Sequence, residues 1–319
     1  MNNIKKIFSY FLSVVAIIIL FERCDEEDGL TPGSNLNPPP ASEDALDIWI
    51  KENYVDPFNI EVVYRWQEAL VDQSRYLFPP HKDSVQSILE LVKAVWIEPY
   101  NQVAGRPFVQ ELKPSQLVLV GGINRNPSGT ITLGLAEQGK RITLFNVNLL
   151  DKTNERNVNL FMKTIQHEYA HILHQSKPFD EEVWGEITPE GYTAQWFNER
   201  DYSSQEEGFI SAYARSNENE DFAEMVAQML TRNREQWDEL IDITARDTVI
   251  ETMGGIPVIM NGRPVYMEVP AAQNKFTQAE EDLKEKEQLV FSYYRDEHNL
   301  DIYALQDSIY NATQRALRK

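Results

Sequence analysis

The amino-acid sequence predicts an α+β fold, because strand-like segments cluster before its middle and long helical segments follow. Short apolar runs rich in β-branched residues, with glycines between them, predict the strands. They span residues 61–66, 116–120, 130–133 and 141–145. Apolar residues three or four positions apart predict the helices. These span residues 83–103, 154–175, 205–214, 218–242 and 272–317, with a weaker section at 246–270 that includes the hairpin signal Asn261-Gly262.

The composition limits the classes of protein to which the chain could belong. Its 319 residues are 42% hydrophobic, which is enough to bury at least one sizeable core. The formal net charge of −20 argues against a nucleic-acid partner, because the phosphate backbone would be repelled. The single cysteine, Cys24, excludes a disulfide scaffold and a zinc site made of cysteines.

The N-terminus has the pattern of an export signal. Two lysines precede an apolar segment at 7–21, which is short for a transmembrane helix. We expect residues 1–23 to form a signal peptide and Cys24 to carry a lipid, which would be the chain's only attachment to a membrane. The alternative is a free thiol behind an uncleaved anchor, because residues 21–23 lack the small side chains usual before a lipidated cysteine.

A change of composition marks the start of the folded part. Residues 24–43 are rich in Gly, Pro, Ser and Asn, which predicts a flexible tether. From residue 44 onwards the pattern is that of a globular domain, which we expect to span 44–319. Within it, the charged helical segment 272–319 could form a subdomain of its own.

The helix predicted at 154–175 carries the sequence His167-Glu168-Tyr169-Ala170-His171. Residues i and i+4 of a helix lie about 40° apart, so both imidazoles can reach one metal ion. Glu168 lies about 100° around the helix from His167, where it can accept a proton from water without binding the ion. Neutral imidazoles with a neighbouring carboxylate are the pattern of zinc hydrolases. An amphipathic helix with incidental surface histidines is the alternative.

His174 shares the helical face of His167 and His171 but lies about one turn beyond the second of them. Three histidines from one straight helix would strain a tetrahedral site. We therefore expect His174 to support the metal site or to face the substrate. Two alternatives stay open, a polar surface residue and a direct ligand.

The third metal ligand is expected to be a carboxylate, because no histidine follows His171 at six residues. Glu220 and Glu224 stand at i and i+4 of the helix predicted from 218, so both can face the metal helix. Glu220 could instead complete a capping box with Asn217. Glu224 is the alternative ligand.

The segment from Tyr213 to Glu224 resembles the second active-site segment of the anthrax lethal factor-like gluzincins. The resemblance rests on the seven-residue spacing from Tyr213 to Glu220 and on Glu220-Asp-Phe-Ala-Glu224. It implies that Glu220 binds zinc, that Tyr213 donates a hydrogen bond to the oxyanion, and that Glu224 orients a ligand histidine. A core position for the Tyr213 ring is the alternative.

The wider chain resembles the putative zinc-binding metallopeptidase family, also called substrate import-associated zinc metallohydrolase lipoproteins. The resemblance rests on 167–175, on 219–224 and on the lipoprotein-like start. It implies a zincin-like (gluzincin) fold, one Zn²⁺ per chain and a peptide or protein substrate. It further implies an outer-membrane lipoprotein, facing the periplasm or the cell surface, that works beside TonB-dependent import components.

Two expectations follow for the substrate. By analogy with zincins, residues 141–148 could form an edge strand that pairs with an extended peptide. The rival function is a non-catalytic accessory lipoprotein that binds peptide or glycan. Hydrolysis of another amide or ester would need the same site chemistry, so the sequence does not separate these substrates.

Overall fold

The computed structural model describes residues 44–137, 140–243 and 277–318, together with short strand segments between 248 and 268. The side chains of 106–107 and of the segments between 248 and 268 are outside this description. The predicted signal peptide, Cys24, the tether and the hairpin turn Asn261-Gly262 also lie outside the described residues.

Helices dominate the described part of the chain. The α-helices are α1 Ala45–Ile50, α2 Asp56–Phe58, α3 Lys82–Val92, α4 Glu98–Val103, α5 Arg106–Glu111, α6 Glu155–Ser176, α7 Glu181–Ile187, α8 Asp201–Gln205, α9 Glu218–Leu230, α10 Arg234–Ile241, α11 Thr277–His298 and α12 Ile302–Leu317. Turns of π-helix at Lys51–Val55 and Lys93–Ile97 join α1 to α2 and α3 to α4. None of the helices in these described ranges has the length and apolarity needed to cross a membrane.

One small mixed sheet lies in the first half of the domain. Its strands are β1 Glu61–Val63, β2 Gln116–Leu119, β5 Gly134–Glu137 and β6 Arg141–Leu144, in the spatial order β1-β2-β6-β5. The first three in that order are parallel, and β5 is antiparallel to β6 with Leu135 opposite Thr143. The α+β prediction is confirmed: the described residues are mainly helical, with one small sheet.

The remaining strands are two or three residues long. They are β3 Asn124–Arg125, β4 Ile131–Thr132, β7 Thr248–Ile250, β8 Thr252–Met253, β9 Ile256–Pro257, β10 Ile259–Met260, β11 Arg263–Pro264 and β12 Tyr266–Glu268. Each pairs antiparallel with one partner: β3 with β4, β7 with β12, β8 with β9 and β10 with β11. The predicted strand at 130–133 is thus part of a separate β-ribbon and not of the main sheet.

The prediction of a helix at 205–214 is wrong, because only the first of these residues is part of an α-helix. Residues 201–205 form α8, and the chain then turns through Gly208, whose φ of +81° is a left-handed conformation that favours glycine. A short 3₁₀-helix follows at Tyr213–Ser216. The predicted helix at 218–242 is two helices, because Asn233 caps a new one: its side chain accepts a hydrogen bond from Gln236 N–H at 2.8 Å.

The long helices share one core. Tyr169 of α6 is fully buried, with its ring 5.1 Å from that of Trp96 and 4.9 Å from that of Tyr100. Buried residues of α9, α11 and α12 belong to the same hydrophobic cluster. A fully buried ion pair, Lys286 Nζ to Asp221 Oδ2 at 2.7 Å, joins α11 to α9. Removing one partner of such a pair costs about 3–5 kcal/mol, so it fixes the helix that carries the predicted carboxylate ligands.

Candidate active site

The predicted metal helix is α6, and its start is set by Asn154. The Oδ1 atom of this N-cap accepts a hydrogen bond from Asn157 N–H at 3.1 Å. One face of the helix is an apolar stripe whose members recur every three or four residues, and all of them are buried: Val158, Met162, Ile165, Tyr169 and Ile172. The histidine face is thereby turned towards α9.

Helix α9 begins at Asn217, whose Oδ1 accepts hydrogen bonds from the backbone N–H groups of Asn219 and Glu220 at 3.0 and 3.1 Å. The Glu220 carboxylate does not return to this cap but lies against His167 and His171. Asn217 therefore caps the helix alone, and the capping-box alternative does not account for the Glu220 side chain.

Three side chains from α6 and α9 bring their donor atoms together. His167 Nε2 lies 2.9 Å from Glu220 Oε2. His171 Nε2 lies 3.2 Å from His167 Nε2 and 3.3 Å from the same carboxylate oxygen. In the described part of the chain, these three residues form a group that could hold a metal ion. They are the three that the sequence singled out as ligands.

Glu224 lies behind His167, on the side away from Glu220. Its Oε1 is 3.1 Å from His167 Nδ1, an ion-pair distance, although the contact falls outside hydrogen-bond geometry. Its Oε2 accepts hydrogen bonds from Lys163 Nζ at 2.7 Å and Ser211 Oγ at 2.6 Å. Glu224 is thus placed to orient His167 rather than to replace Glu220 as a ligand.

These contacts set the charges of the cluster. Burial lowers the pKa of His167, but the carboxylates of Glu220 and Glu224 outweigh it and raise this pKa to about 10. Burial raises the pKa of Glu220, yet hydrogen bonds with both histidines hold it well below its usual range. Burial also raises the pKa of Glu224, but Lys163 and His167 hold it well below that range. Both carboxylates are therefore ionised at neutral pH.

Glu168 lies beside this cluster and is 6% exposed. Burial raises the pKa of its carboxyl group, although His167 and the backbone N–H of Ala136 act in the opposite direction. At Gly134 of β5, an added Cβ would lie only 2.6 Å from Glu168 Oε1. The carboxylate therefore packs against the backbone of β5 in space that only glycine leaves open.

Tyr213 forms one wall of the site. Its ring stacks on that of His167 with centroids 5.7 Å apart and meets the Trp196 ring edge-on at 4.7 Å. Burial, the nearby Glu220 charge and a hydrogen bond to Glu220 raise the pKa of the Tyr213 hydroxyl well above its usual range. The ring borders the cleft beside the histidines, and its hydroxyl stays a neutral hydrogen-bond donor.

His174 has a different environment from the other two histidines of α6. Its Nε2 is 3.2 Å from Glu181 Oε1, and its ring is 4.6 Å from that of Phe179. The Nδ1 atom accepts a hydrogen bond from Phe179 N–H at 3.4 Å. Among the described residues, His174 belongs neither to the converging group nor to the lining of the cleft.

A cleft of about 320 Å³ opens over His167 and Glu168. The rest of its lining comes from the β3–β4 ribbon, the start of β5, α6 and the Tyr213 wall: Asn126, Thr130, Ile131, Thr132, Leu133, Gly134, Leu160, Lys163, Thr164, Trp196, Tyr213 and Glu224. Sequence reasoning missed Leu160, Lys163 and Thr164. Their positions seven, four and three residues before His167 are the signal that could have placed them on its face.

Strand β5 lies at the edge of the sheet next to β6, and the expectation that residues 141–148 form an edge strand is wrong. Strand β6 is hydrogen-bonded on both sides, to β2 and to β5, so it has no edge for a peptide. Phe145 N–H donates a hydrogen bond to Leu133 O at 2.9 Å. Because hydrogen-bonded and non-bonded residue pairs alternate along antiparallel strands, residues 133 and 135 make the backbone hydrogen bonds to the β6 side. Gly134 and Ala136 therefore direct their backbone N–H and C=O groups away from β6.

Comparison with known proteins decides the family. The model of the family described as putative zinc-binding metallo-peptidase matches residues 40–303, most of the chain. The chain belongs to this family. A crystal structure of a putative zinc-binding metallo-peptidase from Bacteroides caccae is similar in fold, with 29% sequence identity and a TM-score of 0.64. The match covers 86% of this chain and 93% of that chain. No curated protein matches the chain.

Zinc is the cofactor of this metallopeptidase family, and the three converging side chains fit it. If His167 turns its Nδ1–H towards Glu224, its Nε2 lone pair faces Glu220 Oε2 at 2.9 Å. The Nε2 lone pair and the carboxylate oxygen are both hydrogen-bond acceptors, so at that distance they repel each other unless a cation or a proton lies between them. In a tetrahedral site with bonds of about 2.0–2.1 Å, ligand atoms are about 3.3 Å apart. The separations of 3.2 and 3.3 Å agree with that value, and the 2.9 Å between His167 and Glu220 is shorter.

Proposed function

We propose that this family member hydrolyses peptide bonds, with His167, His171 and Glu220 holding the zinc and Glu168 acting as the general base. The observation that carries the proposal is the place of Glu168: it is buried beside the three converging side chains and yet borders an open cleft. A purely structural zinc site has four protein ligands and needs no such base. When bound, zinc acts as a Lewis acid that makes water more acidic and polarises a carbonyl group.

The proposed proton transfers use Glu168 twice. Its carboxylate accepts a proton from the water that attacks the scissile carbonyl carbon. The carboxyl group then gives this proton to the nitrogen of the leaving amine as the C–N bond breaks. The burial that raises the pKa of Glu168 supports the first step, because it increases the affinity of the carboxylate for the proton. The second step is driven by the leaving amine nitrogen, which is a stronger base than a carboxylate.

Tyr213 is proposed to stabilise the carbonyl oxygen as negative charge develops on it. The raised pKa keeps the hydroxyl protonated, so it remains a donor throughout the reaction. In the substrate-free chain this hydroxyl lies close to the Glu220 carboxylate, and it would turn from there to the substrate oxygen.

The substrate is proposed to bind as an extended peptide along β5. The outward-facing backbone groups of Gly134 and the carbonyl oxygen of Ala136 are proposed to form hydrogen bonds with a peptide main chain. Ala136 N–H also faces the Glu168 carboxylate, so a peptide at this edge would lie beside the general base.

The cellular place of the enzyme is a separate proposal, supported by the N-terminal sequence. We infer an exported outer-membrane lipoprotein that is anchored through Cys24 and works with TonB-dependent import components. Membrane fractionation of the wild type and of Cys24→Ala tests it. The wild type should be lipid-modified and sediment with outer membranes, and Cys24→Ala should not. Equal distributions would contradict the anchor.

The test of the catalytic proposal is Glu168→Gln in the zinc-loaded chain, assayed on a peptide mixture by mass spectrometry. Removing a general base should lower the rate by about 10²–10⁴-fold while the bound zinc is retained. Glu182→Gln, an exposed carboxylate on α7, is the matched control and should cleave like the wild type. Full activity of Glu168→Gln would remove Glu168 from the mechanism. A wild type that binds zinc and peptides but cleaves none would favour the accessory binding function.

A further inference from the structure

Ser211 connects two parts of the active site through a single hydroxyl group. Its Oγ–H donates a hydrogen bond to Glu224 Oε2 at 2.6 Å, and the same Oγ accepts a hydrogen bond from Ala214 N–H at 3.2 Å. The side chain is 2% exposed and does not belong to the lining of the cleft in the described part of the chain. Any effect of Ser211 on the reaction therefore acts through its two partners.

On one side, Ser211 fixes the carboxylate that faces the metal ligand His167. Glu224 Oε2 accepts hydrogen bonds from two donors on different segments, Lys163 Nζ at 2.7 Å and Ser211 Oγ. Hydrogen bonds to a carboxylate are short and about twice as strong as those between neutral groups. Together the two donors hold the carboxylate so that its Oε1 stays 3.1 Å from His167 Nδ1. Loss of either donor would let the carboxylate turn away from the ring.

On the other side, Ser211 fixes the turn that carries Tyr213. Ala214 N–H belongs to the first turn of the 3₁₀-helix Tyr213–Ser216, where N–H groups lack partners within the helix. This N–H is part of the planar peptide bond that follows Tyr213, so its hydrogen bond to Ser211 sets the orientation of that plane. The Tyr213 side chain leaves the same backbone and stacks on the His167 ring, with 27° between the two planes.

The other contacts of this segment lie away from the carboxylates of α9. Ala212 N–H donates a hydrogen bond to Asp201 Oδ1 at 2.9 Å, and Arg215 N–H donates one to Ala212 O at 3.2 Å. These bonds hold the turn against α8 without reaching the metal site. Among the described hydrogen bonds of residues 211–216, the one to Glu224 is made by Ser211.

We propose that Ser211 is a positioning residue that couples the metal site to the oxyanion donor. Through Glu224 it keeps the His167 ring aligned for the metal ion, and through Ala214 N–H it keeps Tyr213 beside that ring. The link to Tyr213 rests on the proposed function, whereas the link to Glu224 concerns metal affinity alone. The two links can therefore be tested separately.

The first test is the zinc affinity of Ser211→Ala, measured by competition with a chelator and without any need for activity. We expect the affinity to fall about tenfold, at the lower end of the range for residues around a metal site, because Lys163 still holds the carboxylate. Ser204→Ala is the matched control: Ser204 is also buried, and its Oγ makes no hydrogen bond within the described residues. Equal affinities of the two alanine variants would overturn the link to Glu224.

Two further variants show whether the hydroxyl acts through Glu224. Ser211→Thr keeps a hydroxyl at this position and should retain the wild-type zinc affinity. In a Glu224→Gln background, Ser211→Ala should lower the affinity by no more than about twofold, because effects that pass through one residue are not additive. Circular dichroism checks that each variant folds. A further tenfold loss in the double variant, or a loss in folded Ser211→Thr equal to that in Ser211→Ala, would contradict this coupling.

The second test is kcat for peptide hydrolysis at saturating zinc. Ser211→Ala should lower kcat about tenfold relative to Ser204→Ala, because a misplaced donor loses much of its effect on the transition state. In a Tyr213→Phe background the same substitution should lower kcat only about threefold, since the effect through Glu224 alone remains. An equal loss in both backgrounds would overturn the link to Tyr213. If the wild type cleaves no peptide, the proposed function fails, and the zinc titration decides the remaining link.

Discussion

Glu220 and Glu224 stand one turn apart on α9 and contact opposite ring nitrogens of the same histidine. Glu220 Oε2 lies 2.9 Å from Nε2 of His167, and Glu224 Oε1 lies 3.1 Å from its Nδ1. The i, i+4 spacing lets one helix present both carboxylates to one imidazole. One carboxylate can therefore share a metal ion with His167 while the other fixes the orientation of its ring.

Substituting Glu224 should weaken zinc binding without abolishing it. Glu224→Gln keeps the size of the side chain but removes the charge that faces His167 and Lys163. Losses of about 10–100-fold in metal affinity are typical for such orienting carboxylates. Competition titration with a zinc chelator measures the affinity, and Glu235→Gln, exposed on α10, is the control. An affinity equal to that of the wild type would show that Glu224 does not support the site.

Gly134→Ala should impair catalysis while zinc stays bound. A Cβ at this position would lie 2.6 Å from both Glu168 Oε1 and Thr164 Cγ2, so the carboxylate must move. A displacement of about 1 Å can cost about 10²-fold in rate, so we expect kcat to fall by about 10–100-fold with the zinc content unchanged.

The control for this variant is Gly185→Ala, where the new Cβ would meet only the flexible side chain of Glu218 at 3.3 Å. Steady-state kinetics and zinc analysis on both variants separate an effect on the base from a general loss of structure. A kcat for Gly134→Ala that matches the control would contradict the close packing of Glu168 on β5.

Zinc affinity should rise with pH. In the metal-free chain the pKa of His167 is raised to about 10, so this histidine is protonated at neutral pH and zinc must displace its proton. Displacing one proton makes the apparent affinity about tenfold higher per pH unit between pH 6 and 8. Calorimetry in buffers of different ionisation enthalpy measures the released proton. Zinc binding without proton release would contradict the raised pKa.

His298 should make the folded chain less stable in acid, independently of the metal site. Burial, with Lys177 nearby, lowers the pKa of His298 from 6.5 to about 4, so the unfolded chain binds this proton more readily. The contribution to stability is complete above pH 6.5 and is lost as the pH falls towards 4. The full difference between 6.5 and about 4 corresponds to about 3 kcal/mol. Tyr293 donates its hydroxyl proton to Lys177 O, which leaves its oxygen to accept from His298 Nε2–H.

Urea unfolding at pH 7 and pH 4.5 measures this contribution. The free energy of unfolding of His298→Gln should fall less between the two pH values than that of the wild type, because the substituted side chain does not titrate. His81→Gln, an exposed histidine before α3, is the control and should behave like the wild type. Equal pH dependence for wild type and His298→Gln would contradict the lowered pKa.

The local part of the site could be predicted from the sequence. The faces of α6 follow from helical periodicity, so the grouping of His167 with His171 and the neighbouring place of Glu168 needed no knowledge of distant contacts. Residue type and spacing on a second helix limited the third ligand to Glu220 or Glu224, and the resemblance to the lethal factor-like gluzincins favoured Glu220. The α+β class followed from the same periodicities.

The non-local part could not be predicted. Which strand lies at the edge of a sheet depends on pairing between distant segments, so residues 141–148 were mistaken for the edge that β5 provides. Residues 134–137, Gly-Leu-Ala-Glu, are short and poor in β-branched residues, so they gave no strand signal. The contact of Lys163 with Glu224 joins residues 61 positions apart, and no local pattern indicates it.

The most direct test of the metal site is the zinc content of purified, folded chain for the wild type and Glu220→Gln. We expect about one zinc per wild-type chain. Zinc should be absent or much more weakly held in Glu220→Gln, with the circular dichroism spectrum unchanged because Asn217 still caps α9. Equal zinc content and affinity in both proteins would contradict the assignment of Glu220 as the third ligand.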